Sequence, residues 1–329
     1  MIEVRNDELQ FSFPNVHPHA RFTLSFQRTL RIPDDNREYP LPPGLGDFPL
    51  YRVDDYAGSL PPAWGEHGGV FLPMAQSEAM WLSFSGSYPM ALRIAAGKVD
   101  AITGGAWSNG LVEDPQNYVV VPKQPWLDGF CVAKGSIRQF IAMPLGRGYT
   151  AEEQLTGKAV HGGLQIGVHP MKREAYVKYC SDRESRFAVV ACEAPQSAPR
   201  SEMGLAPGGL MRQKIEVDPH EFDAWEPRAL ARCFVHILNA KQFFAVTGAR
   251  PPERPPSAAS YTAAGLPWFE YYDGDTEALE GATALAGLDS VAAKSIKRGD
   301  GVLPDNDPVT PTVVHRVGPA GRAVREGTF

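Results

Sequence analysis

Between Glu78 and Met171 the chain is a succession of short apolar or alternating runs, each closed by Gly, Pro, Asn or Asp. Trp81 to Phe84, Ala91 to Ile94, Val99 to Ile102, Tyr118 to Val121, Phe130 to Val132 and Ile137 to Met143 make up the series. None of these runs is long enough to repeat a helical stripe over several turns. Their spacing is that of a meander or sandwich of short strands. The chain also carries 32 glycines and 30 prolines among 329 residues, both of which break long helices. The stretch fixes a β-rich core but supplies no nucleophile, metal cage or phosphate loop.

Strand signals continue on both sides. Phe22, Leu24 and Phe26 alternate with Arg21, Thr23 and Ser25, the period of a half-buried strand. Further strands are expected over 70–74, 79–84 and 164–168. Ala95-Ala96-Gly97 is expected to link a hairpin between residues 91–94 and 98–103. Thr150 and Glu153 form a capping box, and Gly157 would end that helix after about two turns. From Ser181 to Gly209 the composition turns to Ser, Ala, Pro, Arg and Glu, which reads as a flexible connection. Residues 223–247 read as helix, with a strand through Cys233, Val235 and Ile237 as the competing reading. A second, weaker helix is expected over about 276–286, and a poorly ordered or surface-draped tail over 299–329.

The expected fold is therefore α+β and β-rich. A β-sandwich-like core over residues 10–175 is followed by the connection at 181–209 and a smaller helical or mixed segment over 210–296.

A net charge of −6 argues against a dedicated nucleic-acid binder, which needs a basic surface. No apolar run reaches the length of a membrane span, and the N-terminus lacks a basic region followed by an apolar core. Cys131, Cys180, Cys192 and Cys233 show neither CxxC nor zinc-finger spacing, which suits reduced thiols in the cytosol. No GxGxxG, Walker or GxSxG pattern is present, so no cofactor is expected.

Two segments could carry recognition. In the first, Leu266 to Asp275, the aromatics Trp268, Phe269, Tyr271 and Tyr272 lie beside Glu270, Asp273 and Asp275. Aromatic faces stack on sugar C–H groups or cations while carboxylates accept hydrogen bonds. A carboxylate pair among Glu270, Asp273 and Asp275 could also act as acid and base in glycoside cleavage. As a calcium loop the segment fails, because glycine stands second rather than sixth and Ala284 stands where the closing Glu belongs. In the second segment, Gln124 to Phe130, Trp126 and Asp128 sit in a turn between two strands, where binding loops occur. Both segments also read plainly as ordinary structure: an amphipathic edge strand, and a tight turn around a buried Trp.

His17 and His19 could share a strand face, but no Glu follows at cupin spacing, so no metal is expected. Cys233 and His236 would meet on one face of a helix, more often as packing residues than as a catalytic pair.

Several phrases resemble segments of a family of uncharacterised soluble bacterial and fungal proteins. They are Gln27 to Asp35, Glu78 to Phe84, Gln124 to Phe130, Arg138 to Gly146 and Gly265 to Tyr272. The resemblance covers most of the chain outside 181–209 and the tail, and it implies no activity, fold or ligand.

The expectation is a non-enzymatic cytosolic binding or assembly module. Its partners would be a protein, a second copy of the chain or a carbohydrate, through Trp268, Tyr271, Tyr272, Trp126 and Asp128. The alternative is a hydrolase acting on a sugar or related polar substrate.

Overall fold

The computed structural model describes residues 1–182, 202–271, 276–301 and 306–317. The fold is α+β and β-rich, with one large, mainly antiparallel sheet, a two-stranded C-terminal sheet and short helices. Its principal strands are β1 (Glu8–Ser12), β2 (Arg21–Thr29), β3 (Val70–Met74), β4 (Ala79–Ser85), β5 (Met90–Ala96) and β6 (Gly129–Ala133). They continue as β7 (Ser136–Pro144), β8 (Leu164–Pro170), β9 (Glu202–Arg212), β10 (Ala231–Asn239), β11 (Trp268–Tyr271) and β12 (Val314–Val317).

Pairing runs β1–β2–β4–β7–β9–β10–β8–β5, every step antiparallel. β3 joins β10 in parallel, and β6 forms a hairpin with β7. β2 alternates as its sequence implies: Phe22 and Leu24 are buried while Arg21 is exposed. β5 and β8 are buried at every position, so they are covered on both faces and lack alternation. Side chains from strands throughout the ladder share one hydrophobic core, including Phe11, Phe26, Leu92, Phe140, Ile166 and Ile237.

The capping box forms as read. Thr150 Oγ1 accepts from the Glu153 amide at 3.2 Å, and Glu153 Oε2 accepts from the Thr150 amide at 3.1 Å. The helix Ala151–Thr156 ends at Gly157 in the left-handed conformation. The 91–103 hairpin turns one residue later than its composition suggests. β5 runs through Ala96, and Gly97 and Lys98 form the turn, both with positive φ.

Three parts of the C-terminal half differ from the sequence reading. Residues 231–239 are a strand, and the helix is confined to Phe243–Thr247. Burial explains the difference: β10 lies between β8 and β3, where Val235, Ile237 and Leu238 all enter the core. In a strand, residues three apart point to opposite faces, so Cys233 and His236 do not share one. The expected connection at 181–209 ends in regular structure. Residues 202–209 open β9, which pairs with β7 and so joins the sheet built by the N-terminal strands. Residues 183–201 lie outside the described residues. The expected helix over 276–286 is reduced to Thr283–Ala286, and a further helix spans Val291–Arg298. Within the tail, β12 pairs in parallel with β11. No helix among the described residues is long and apolar enough to cross a membrane.

Candidate ligand groove

The two candidate segments, Gln124 to Phe130 and Leu266 to Tyr271, meet in space through Trp126 and Tyr271. Trp126 lies in a short strand, Trp126–Leu127, paired with β4 opposite Ser83 and Leu82. Leu127 turns into the core and Trp126 stays half-buried. On the other side β11 is clamped to Leu41 by reciprocal amide–carbonyl bonds between Leu41 and Phe269, at 2.8 and 2.9 Å. The Trp126 and Tyr271 rings meet edge to face at 4.6 Å between centroids. Around that contact is a groove of about 460 Å³, walled by Trp126, Phe269 and Tyr271, with Glu270, Arg212, Arg316, Lys214 and Glu216 among its polar groups.

The floor is held by buried glutamines. Gln124 Nε2 donates to the carbonyls of Trp126 and Lys214, and Gln124 Oε1 accepts from the Glu216 amide. Gln213 Nε2 donates to the Trp126 carbonyl, and Gln213 Oε1 accepts from the Asp128 amide. Each primary amide acts as an inserted peptide group, tying residues 124–128 to 213–216 where no strand pairing does. A buried amide left half-satisfied would cost about 1–3 kcal/mol, so this stitching positions Trp126 firmly. Gln213 carries no motif that singles it out, and Gln124 was visible only as part of the Trp126 segment.

Asp128 lies under the groove wall, nearly fully buried. Trp126 Nε1 donates to its Oδ2. Burial pushes the Asp128 carboxyl up to about 7, and the indole hydrogen bond pulls the other way. Gly129 follows at a point of close approach. A Cβ there would stand 1.9 Å from the Arg138 carbonyl oxygen, so only glycine lets β6 pass β7 at this position.

The remaining candidates separate. Trp268 is not on the groove surface. It has no exposed surface, donates from Nε1 to Thr262 Oγ1 at 3.0 Å, and packs beside Tyr39 and Tyr261. It anchors β11 from behind, while Phe269, Glu270 and Tyr271 line the groove. Glu270 is engaged at both oxygens, by Arg212 Nη1 at 3.0 Å and Arg316 Nε at 3.3 Å. Tyr272, Asp273 and Asp275 lie outside the described residues.

His17 and His19 meet edge to face, and His17 stacks on Tyr88 and lies tilted against Tyr176. Among the described residues no group of three His, Cys, Asp or Glu side chains is placed to hold a metal ion. Burial pushes the thiols of Cys131 and Cys233 up to about 12, which keeps them protonated and poor nucleophiles.

No protein-family model matches this chain, and neither a curated protein nor a solved structure matches it.

Proposed function

We propose that the protein is a non-enzymatic binding module of the cytosol whose aromatic groove takes a carbohydrate. The observation that supports this most directly is the contact between Trp126 and Tyr271, with Phe269 beside them and charged side chains at the margin. Aromatic faces bury the C–H face of a pyranose, and the neighbouring guanidinium and carboxylate groups suit its hydroxyls. The cytosolic placement rests on free Cys131, Cys180 and Cys233. Calorimetric titration of the intact protein with a panel of oligosaccharides tests the reading. Trp126→Ala should weaken the binding at least tenfold with the fold retained. If no glycan binds, or the variant binds equally well, carbohydrate recognition fails.

Sugar hydrolysis is the competing use of the same groove. It would draw on Glu270, but either oxygen must leave a guanidinium before it could reach a substrate. Assembly through a protein partner or second copy draws on a different observation. All four residues of β12 are exposed, and among the described residues the strand pairs only with β11. An open strand edge accepts a further strand. Light scattering over a tenfold concentration range tests this, and a constant monomer mass would remove self-association.

A further inference from the structure

We infer that a second cleft, between the turn at 75–79 and the proline-rich strap at 254–257, binds a compact anion bearing phosphate or carboxylate oxygens. The cleft encloses about 260 Å³ and is separate from the aromatic groove. Arg31, Lys241 and Arg254 line it, and among the described residues the only acidic side chain in the lining is Glu78. That charge is already matched from below. Glu78 Oε1 accepts from Arg28 Nε at 3.3 Å and from Arg28 Nη2 at 3.2 Å, and its Oε2 accepts from the Ala75 amide at 2.8 Å. The Arg28–Glu78 pair is nearly buried, so it is a neutral floor that leaves Lys241 and Arg254 above it uncompensated by Glu78.

The excess is local. The chain as a whole carries a charge of −6, so a cationic cleft is not a sample of its average surface. Lys241 and Arg254 are exposed at the mouth and make no ion pair among the described residues.

The walls are preorganised. Arg28 also donates to the Glu253 carbonyl, so one guanidinium fastens both the buried carboxylate and the strap. Pro251, Pro252, Pro255 and Pro256 fix φ along that strap. A wall with few conformations to lose binds a small ligand at lower entropic cost. Anionic oxygens within reach of Arg254 and Lys241 would receive charge-assisted hydrogen bonds.

Titrating the full-length protein with inorganic phosphate and, separately, succinate tests the site, with sodium chloride holding ionic strength constant. Saturable binding of at least one anion is expected. It should fall at least tenfold in the Lys241→Ala/Arg254→Ala double variant and stay unchanged in Lys158→Ala, an exposed cation that lines neither cavity. Urea denaturation confirms that the double variant is folded, as substitution at two exposed positions should leave it. Binding of phosphate alone identifies a phosphorylated ligand, and binding of succinate alone a carboxylate one. Absence of saturable binding by either anion overturns the inference. So does a folded double variant that binds as tightly as the parent.

Discussion

Trp126 and Asp128 are joined two residues apart, the indole Nε1 donating to Asp128 Oδ2 at 2.5 Å. This bond couples the wall of the aromatic groove to a carboxyl that burial holds near neutrality. Because the folded value lies near 7 and the unfolded value near 3.8, the folded state binds the extra proton between those limits. The stability contribution is therefore full below about pH 4 and is lost as pH rises through 7.

From that shift, Asp128→Asn is expected to flatten the neutral limb of the stability profile. A shift of this size corresponds to about 4 kcal/mol across the interval, an upper figure because the group can relax on ionising. Asparagine keeps an oxygen for the indole N–H and has no proton to lose. Urea denaturation between about pH 5 and pH 8 measures the difference. Parallel profiles for the parent and Asp128→Asn would refute the assignment.

Trp268 and Trp126 should respond unequally to truncation. Trp268→Ala removes a fully buried indole and its bond to Thr262, so a loss of about 3–5 kcal/mol is expected. Trp126→Ala removes a half-buried ring packed on Tyr271 together with the indole bond to Asp128, and about 1–2 kcal/mol is expected. Chemical denaturation ranks the two, and equal losses would mean that the Trp126 ring is core rather than groove wall.

His236 sets the acid side of the profile. It is buried between Trp64 and Phe234 at ring separations of 4.3 and 4.4 Å, with Nε2 3.2 Å from the Gly68 carbonyl oxygen. Burial pushes it down to about 3, the Gly68 hydrogen bond opposes this, and His67 lowers it further. The folded ring thus stays neutral where the unfolded ring takes a proton. Its stability contribution is present above about pH 6.5 and is lost as pH falls towards 3. His236→Phe keeps the stack without the titration, and should lose about 3 kcal/mol less than the parent between pH 7 and pH 4. Thermal melts at those two pH values decide it.

How far the sequence discloses this molecule depends on whether a signal is local. The capping box at Thr150 and Glu153 and the alternation at Phe22, Leu24 and Phe26 are complete within a few residues, and the structure shows both. The strand at 231–239 also satisfies a helical spacing through Phe234 and Leu238, and only its place between β8 and β3 decides between the two. The same holds for the candidate groove. Its aromatic residues stood out by type, but their meeting depends on pairings such as that of Trp126 with Ser83. The anion cleft gave no local signal, because Glu78, Lys241 and Arg254 converge from distant segments.

Arg93 offers the sharpest test of the core. It is buried with Asp100, its Nη2 2.6 Å from Asp100 Oδ2. Its Nη1 donates to the carbonyl oxygens of Ser108 and Gly110 at 2.8 and 2.6 Å, and the Trp107 ring lies 5.1 Å from the guanidinium. Asp100 Oδ1 accepts from the amides of Ile102 and Thr103. The pair thus fastens residues 107–110 to β5 as well as neutralising itself. Arg93→Met should cost about 3–5 kcal/mol, since it strands a buried carboxylate and frees two carbonyls. Adding Asp100→Asn should recover part of that loss, because the stranded charge disappears while the two amides keep an acceptor. A double-mutant cycle in urea measures the coupling. Simple additivity would mean that the carboxylate is not compensated by Arg93, and that the pair contributes only through the loop it fastens.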